Sequence, residues 1–231
     1  MTATFKVLSA LLTYPSAELQ AAAEELHAAL DSDGLVAQSV RGDLDRLIDE
    51  FASSDLIDLQ ERYVMLFDRT RSLSLHLFEH VHGESRDRGQ AMIDLRSLYE
   101  QKGLAMTASE LPDFLPLFLE FLSSLPLGDA RELLNQPAHI VSALAERLRK
   151  RQSPYEAVFR ALTALAVSAP KANAVAGLLA QPDPDPNDLS ALDAAWEEES
   201  VEFGPEVATG CKGGLAGGIG AAGRSLPTDR A

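Results

Sequence analysis

The chain has 231 residues, enough for one globular domain and a tail, and its 46% hydrophobic and 24% charged residues suit a soluble fold that needs no disulfide or metal staple. A formal net charge of −15 repels phosphate backbones and anionic lipid alike, which argues against nucleic-acid and membrane partners and for a basic one. The lone cysteine, Cys211, allows neither an internal disulfide nor a thiolate metal cluster, which fits the cytoplasm, where the protein is expected.

In chain order, Phe5, Leu8, Leu11 and Leu12 fall at helical spacing and predict an amphipathic first helix. This run is too short for a membrane span and has no small-x-small cleavage site behind it. Pro15-Ser16 opens a second helix to about Leu30. A third carries the one-face stripe Val40, Leu44, Leu47, Ile48 and Phe51, and Ser54 or Asp55 caps a fourth with Leu56, Leu59, Tyr63, Leu66 and Phe67 inward. Residues 69–83 hold an apolar patch, Leu73 to Phe78, whose alternation suggests a strand, but a lone strand has no partner, so a loop with a short helix is expected.

Ser85 or Asp87 opens the next helix, which stops at Gly103. Residues 110–125 are apolar nearly all round and predict a central helix, with Pro112 in its first turn and Pro116 one turn in as a kink. Asp113 and Glu120, seven apart on that helix, would share one face. Two further helices follow, opened by Pro137 and Pro154. The fold class is all-α: a single bundle of about eight or nine helices over residues 1–169.

Residues 170–231 form a Pro/Gly-rich acidic tail, expected to be largely disordered, with a possible short helix at 188–200. That helix holds Leu189, Leu192 and the sole tryptophan, Trp196, which either docks on the bundle or marks a linear segment that competes for a partner site.

One pattern carries an enzymatic reading. His76-x-x-Glu79-His80 matches the inverted zinc-peptidase motif, in which two histidines on one helix face hold zinc and the glutamate acts as general base. No third ligand is evident downstream, so a zinc-dependent hydrolase is kept as the alternative function. The plainer reading pairs Glu79, His80 and His82 with Arg86 and Arg88. Ser72 and Ser74 lie near His76 but lack a nucleophile elbow, and no glycine loop cradles a phosphate. No enzyme activity and no cofactor are expected.

Three stretches together, Tyr63 to Arg69, Ser74 to Gly83 and Ser85 to Met92, resemble the nitrate reductase molybdenum cofactor assembly chaperones, the delta-subunit family. Glu110-Leu111-Pro112-Asp113 is similar to the acid-x-Pro-Asp-His segment of that family and of the wider TorD-like redox-enzyme maturation proteins, with Phe114 standing where the family commonly has His. The resemblance covers roughly residues 4–168, and Trp196-Glu197-Glu198-Glu199 also looks family-like.

It implies a cytoplasmic, non-catalytic chaperone that binds the basic N-terminal segment of the catalytic (alpha) subunit of nitrate reductase. It would keep that subunit competent for molybdenum cofactor insertion, delay membrane docking, and leave the finished enzyme, so the complex is transient. The peptide-binding residues expected are Tyr63, Glu79, His80, His82, Arg88, Asp113, Pro116, Phe118, Glu120 and Phe121, with the acids facing Lys and Arg and the phenylalanines flooring a groove.

Overall fold

The computed structural model describes residues 2–81, 86–104, 110–185, 187, 188 and 190. His82, Trp196, Cys211, the glycine-rich stretch and most of the expected 188–200 helix lie outside these residues. Eleven α-helices occur among the described residues: α1 Ala3–Leu11, α2 Ala17–Ala21, α3 Ala23–Asp33, α4 Gln38–Ser53, α5 Leu56–Tyr63, α6 Arg86–Gln101, α7 Leu115–Ser123, α8 Leu127–Leu134, α9 Ala138–Lys150, α10 Glu156–Leu165 and α11 Ala172–Leu179. A π-helical turn, Val64–Asp68, continues α5, and two 3-10 turns, Arg71–Leu73 and Leu77–His80, follow it.

The all-α class agrees with the sequence reading, and the helix count is higher for local reasons. The expected second helix is interrupted at Ala22, giving α2 and α3. Helix α8 was not anticipated: it is short, carries Gly128 and Asp129 in its first turn, and buries only Ala130 and Leu134. Helix α11 lies beyond residue 169, where the tail was expected to start. It packs on α9, Leu178 is buried, and the Arg147 guanidinium donates to the Leu178 carbonyl at 2.7 Å.

The capping signals have their counterparts. Ser16 Oγ accepts from the Leu19 amide and Asp55 Oδ1 from the Ile57 amide, each satisfying a first-turn N–H that has no partner inside its helix. Gly34 and Gly103 take positive φ, 60° and 86°, the left-handed conformation that ends a helix at little steric cost.

The core is built on α1 and α7. Phe5, Leu8 and Leu11 of α1 are fully buried, as are Leu115, Leu119, Phe121 and Leu122 of α7. With Val7 and Ser9 also buried, α1 is a central helix rather than a one-sided amphipathic one. Ser9 Oγ donates to the Pro116 carbonyl at 2.7 Å, and the Thr2 amide donates to the Ser123 carbonyl at 2.9 Å, so both ends of the pair are tied. Helices α3 and α10 also touch α1; α9 and α10 pack together, and α4 lies against α2, α3 and α10.

Helix α7 starts at Leu115, five residues later than expected. Pro116 therefore sits in the first turn, where its missing N–H costs nothing, and introduces no kink. Asp113 precedes the helix, so it does not share a helical face with Glu120: it is fully buried, whereas Glu120 is exposed.

Candidate functional site

The motif-rich segment after the π turn is a clamp. The Leu115 amide donates to the Leu75 carbonyl at 2.8 Å, and the Leu77 amide to the Asp113 carbonyl at 3.0 Å, which makes a single antiparallel bridge between His76 and Phe114. Within the alternating residues 73–78 only 74–76 are free of 3-10 turn, and His76 alone forms the bridge. Its partner is the approach to α7, and pairing ends where the 3-10 turn Leu77–His80 begins.

Asp113 is the centre of the clamp. One carboxylate oxygen accepts from the Phe78 amide at 3.0 Å and the other lies 3.2 Å from His76 Nδ1. This hydrogen bond raises the His76 pKa above its usual value, against the opposing effect of burial, and Glu79 and Arg88 also act on the ring through space. Nearby, Tyr99 is fully buried, donates to the Pro112 carbonyl at 2.7 Å and packs on Phe121 with ring centroids 4.5 Å apart. Burial pushes its phenol pKa well up.

His80 is buried and its Nε2 lies 2.8 Å from the Ser74 carbonyl, which only accepts, so this nitrogen carries the hydrogen of a neutral ring. Burial lowers its pKa, and the charge on Arg147 does so further. His76 precedes the 3-10 turn that holds His80, so the i, i+4 helix face required by the zinc motif does not form. Each histidine already spends a ring nitrogen on a protein partner, and no group of three His, Cys, Asp or Glu fit for a metal occurs among the described residues. The zinc-hydrolase alternative finds no support. Glu79 pairs with Arg88 at 3.3 Å, in line with the plainer reading of the motif.

The expected peptide-contact residues therefore divide. His80, Glu79, Arg88 and Asp113 come together in the clamp, while Glu120 is exposed on the outer side of α7. Tyr63, Pro116, Phe118 and Phe121 are buried, so the phenylalanines are core and floor no open groove in this structure. Tyr63 donates to the Leu12 carbonyl at 3.0 Å, and burial drives its phenol pKa far up.

Directly above Tyr63 the surface is different. Tyr14 stacks edge-on to it with ring centroids 5.5 Å apart yet is 50% exposed, and Ile57 is 68% exposed. These two, with Gln60, Glu61, Val64, Met65 and Arg69, line a groove of ≈ 590 Å³ along α5 and the π turn. π turns recur at functional positions because the extra residue displaces side chains from the regular helical rows. The sequence carried one signal of this groove: Ile57 is a large apolar residue outside the inward stripe of α5. Tyr14, just before the Pro15 helix start, gave none.

The family model for the nitrate reductase delta subunit matches residues 14–161. This chain belongs to that family. It is 44% identical over 197 residues to the nitrate reductase molybdenum cofactor assembly chaperone NarJ of Escherichia coli K12, covering 85% of this chain and 83% of the relative. Identity to the probable assembly chaperone NarW of the same organism is 41% over 206 residues, 89% and 86% of the two chains. Among solved structures, a protein assigned to redox enzyme maturation in Archaeoglobus fulgidus superposes with a TM-score of 0.50 at 22% identity, over 71% of this chain and 91% of that one, which speaks for the fold. The family resemblance drawn from the sequence is thus the family found, and the two relatives just described carry the name of assembly chaperones. No helix among the described residues is long and apolar enough to cross a membrane.

Proposed function

We propose that this protein is a cytoplasmic chaperone for the catalytic subunit of nitrate reductase, binding its basic N-terminal segment, keeping the apo subunit open to molybdenum cofactor insertion and delaying its docking at the membrane. The observation that carries this reading is the groove over Tyr63. Exposed Tyr14 and Ile57, with half-buried Val64 and Met65 beside them, offer an apolar strip for one face of an amphipathic helix, on a molecule of net charge −15 that attracts the helix's basic face. Buried Tyr63 supports the reading from below: its ring backs Tyr14, and its hydroxyl ties α5 to the Leu12 carbonyl.

Transience follows from the same physics. A binder that recognises only the unfinished client shifts its population in proportion to the difference in affinity, and the complex ends when the segment is withdrawn into the mature enzyme. Calorimetric titration with a synthetic peptide of the client's N-terminus is the test. Saturable one-to-one binding that weakens as salt rises is expected, and absence of binding at low salt overturns the proposal.

A further inference from the structure

Met65 lines two hollows. One is the groove just described. The other, of ≈ 480 Å³, lies on the far side of Met65, lined by Arg62, Leu66 and Arg151 and by the chain's own Asp183, Pro184 and Asp185. Residues 181–185 reach this place as a strap leaving α11, and the anchoring is specific. Asp183 Oδ1 accepts from Ser72 Oγ at 2.6 Å and from Arg151 Nη2 at 2.6 Å, while Arg151 also reaches the Pro184 carbonyl at 3.3 Å. Beneath the strap is Arg147, 2% exposed, whose guanidinium donates to the backbone carbonyls of Ser72 and Leu178. Asp183 is the carboxylate that acts on it through space.

The hollow is left chemically unfinished by the strap. Arg62 Nε and Nη2 and Arg151 Nη1 are buried and find no hydrogen-bond partner among the described residues. Each such donor costs free energy that an acceptor would recover. The strap itself is lightly held. Residues 181, 182, 183 and 185 are exposed, only Pro184 is half-buried, and the ion pair retains 18% and 30% side-chain exposure. Pro182 and Pro184 stiffen it, so little chain entropy is lost when it docks or gained when it leaves.

We propose that the strap at residues 181–185 is an intramolecular occupant of the client groove: it fills the Arg62–Arg151 end, and a bound client segment displaces it. This rests on the groove's being the client site. It also specifies the client's chemistry. The segment that takes the strap's place presents an acceptor, a side-chain carboxylate or free backbone carbonyls, to the two arginines at one end of an otherwise basic amphipathic helix. Asp183 is thus a stand-in for that group in the unliganded chaperone.

The experiment uses the full chain and an endoproteinase that cleaves on the N-terminal side of aspartate, with cutting at Asp185 as the readout, and a synthetic basic amphipathic peptide free of aspartate as the client probe. Three results are expected: saturating peptide speeds cleavage of the wild-type strap; Asp183→Asn speeds it without peptide; and the same variant binds peptide about fivefold more tightly, since one partly exposed charge-assisted contact no longer competes. Ser72→Ala, which leaves both arginines and Asp183 in place, shifts all three readouts the same way by less, and guards against a folding defect in Asp183→Asn. Peptide that binds the wild type while strap cleavage stays unchanged overturns the inference, as does an unaltered or weakened affinity in Asp183→Asn. Peptide that binds neither chain overturns the proposed function instead.

Discussion

The clamp at residues 74–80 and 113–115 and the groove along α5 are adjacent in sequence and opposite in character. The clamp gathers the side chains usually associated with chemistry, two histidines, a glutamate and an aspartate, and uses them inward. Asp113 is fully buried and accepts from the Phe78 amide and His76, and His80 bonds the Ser74 carbonyl. The groove is lined by ordinary residues, and leaves Ile57 and Tyr14 in water. A buried polar group must find partners, so a motif rich in such groups builds structure when it sits at a junction of elements. The exposed part of an apolar side chain is left to water by the described residues, and that open surface is what a client segment can cover.

The comparison is best broken at Asp113. Asp113→Ala removes the carboxylate that accepts from the Phe78 amide and pairs with His76, and is expected to cost about 3 kcal/mol in urea unfolding. A variant of wild-type stability with reduced peptide affinity would move Asp113 from scaffold to contact surface. For the same reason Asp113→Lys is no clean probe of the groove, because it places an ammonium at a fully buried position. The converse substitution, Ile57→Asp, is expected to weaken peptide binding about tenfold in calorimetry, while stability changes by less than about 0.5 kcal/mol. A stability loss as large as that of Asp113→Ala would make Ile57 a core residue in all but exposure.

Proton linkage sharpens the contrast within the clamp. The His76 pKa is raised above 6.5 by Asp113, so the stability it contributes is complete below that unfolded-state value and is lost as pH climbs through the folded-state value. His80 works the other way. Its pKa is lowered by burial, the unfolded chain takes up the proton more readily, and stability falls as pH drops through 6.5. Between about pH 8 and about pH 6, the stability gap between wild type and His76→Gln should widen, and that between wild type and His80→Gln should narrow. Parallel curves for the two variants would dissolve the opposition between the rings. The smallest effect expected is electrostatic: raising salt from low to physiological levels should weaken peptide binding about threefold, the response of exposed complementary charge. An affinity indifferent to salt would make the groove's apolar strip its whole basis.

Much of the scaffold was legible from residues alone. Leu44, Leu47, Ile48 and Phe51 occupy one face of α4 and are all buried, because a 3.6-residue period leaves an amphipathic helix only one way to turn. Asp55 caps α5, and Gly103 ends α6 through a positive φ that other residues adopt at a cost. The breaks were less visible. The interruption at Ala22 has no proline or glycine to announce it, and α8 begins with residues that favour turns. For the site, the sequence singled out the segment that forms the clamp and misjudged which way its residues face. Periodicity counted Asp113 into the helix with Glu120, and only the tertiary structure shows that Asp113 sits in a turn closed by the Phe114 amide on the Leu111 carbonyl, with Phe114 extended in the bridge to His76.

Composition and periodicity were sufficient for an acidic all-α chain, since these depend on interactions within a few residues and on total charge, and the delta-subunit family was reached through the resemblance of its motifs. Which polar residues are buried, that α1 and α7 form the central pair, that Arg147 links the Ser72 loop to α11, and that Asp183 returns to Arg151 across 32 residues of chain were decided by tertiary structure alone. Each of those contacts joins segments far apart in sequence. Whether a carboxylate ends in water or between two donors depends on what the fold brings beside it, which no local pattern encodes.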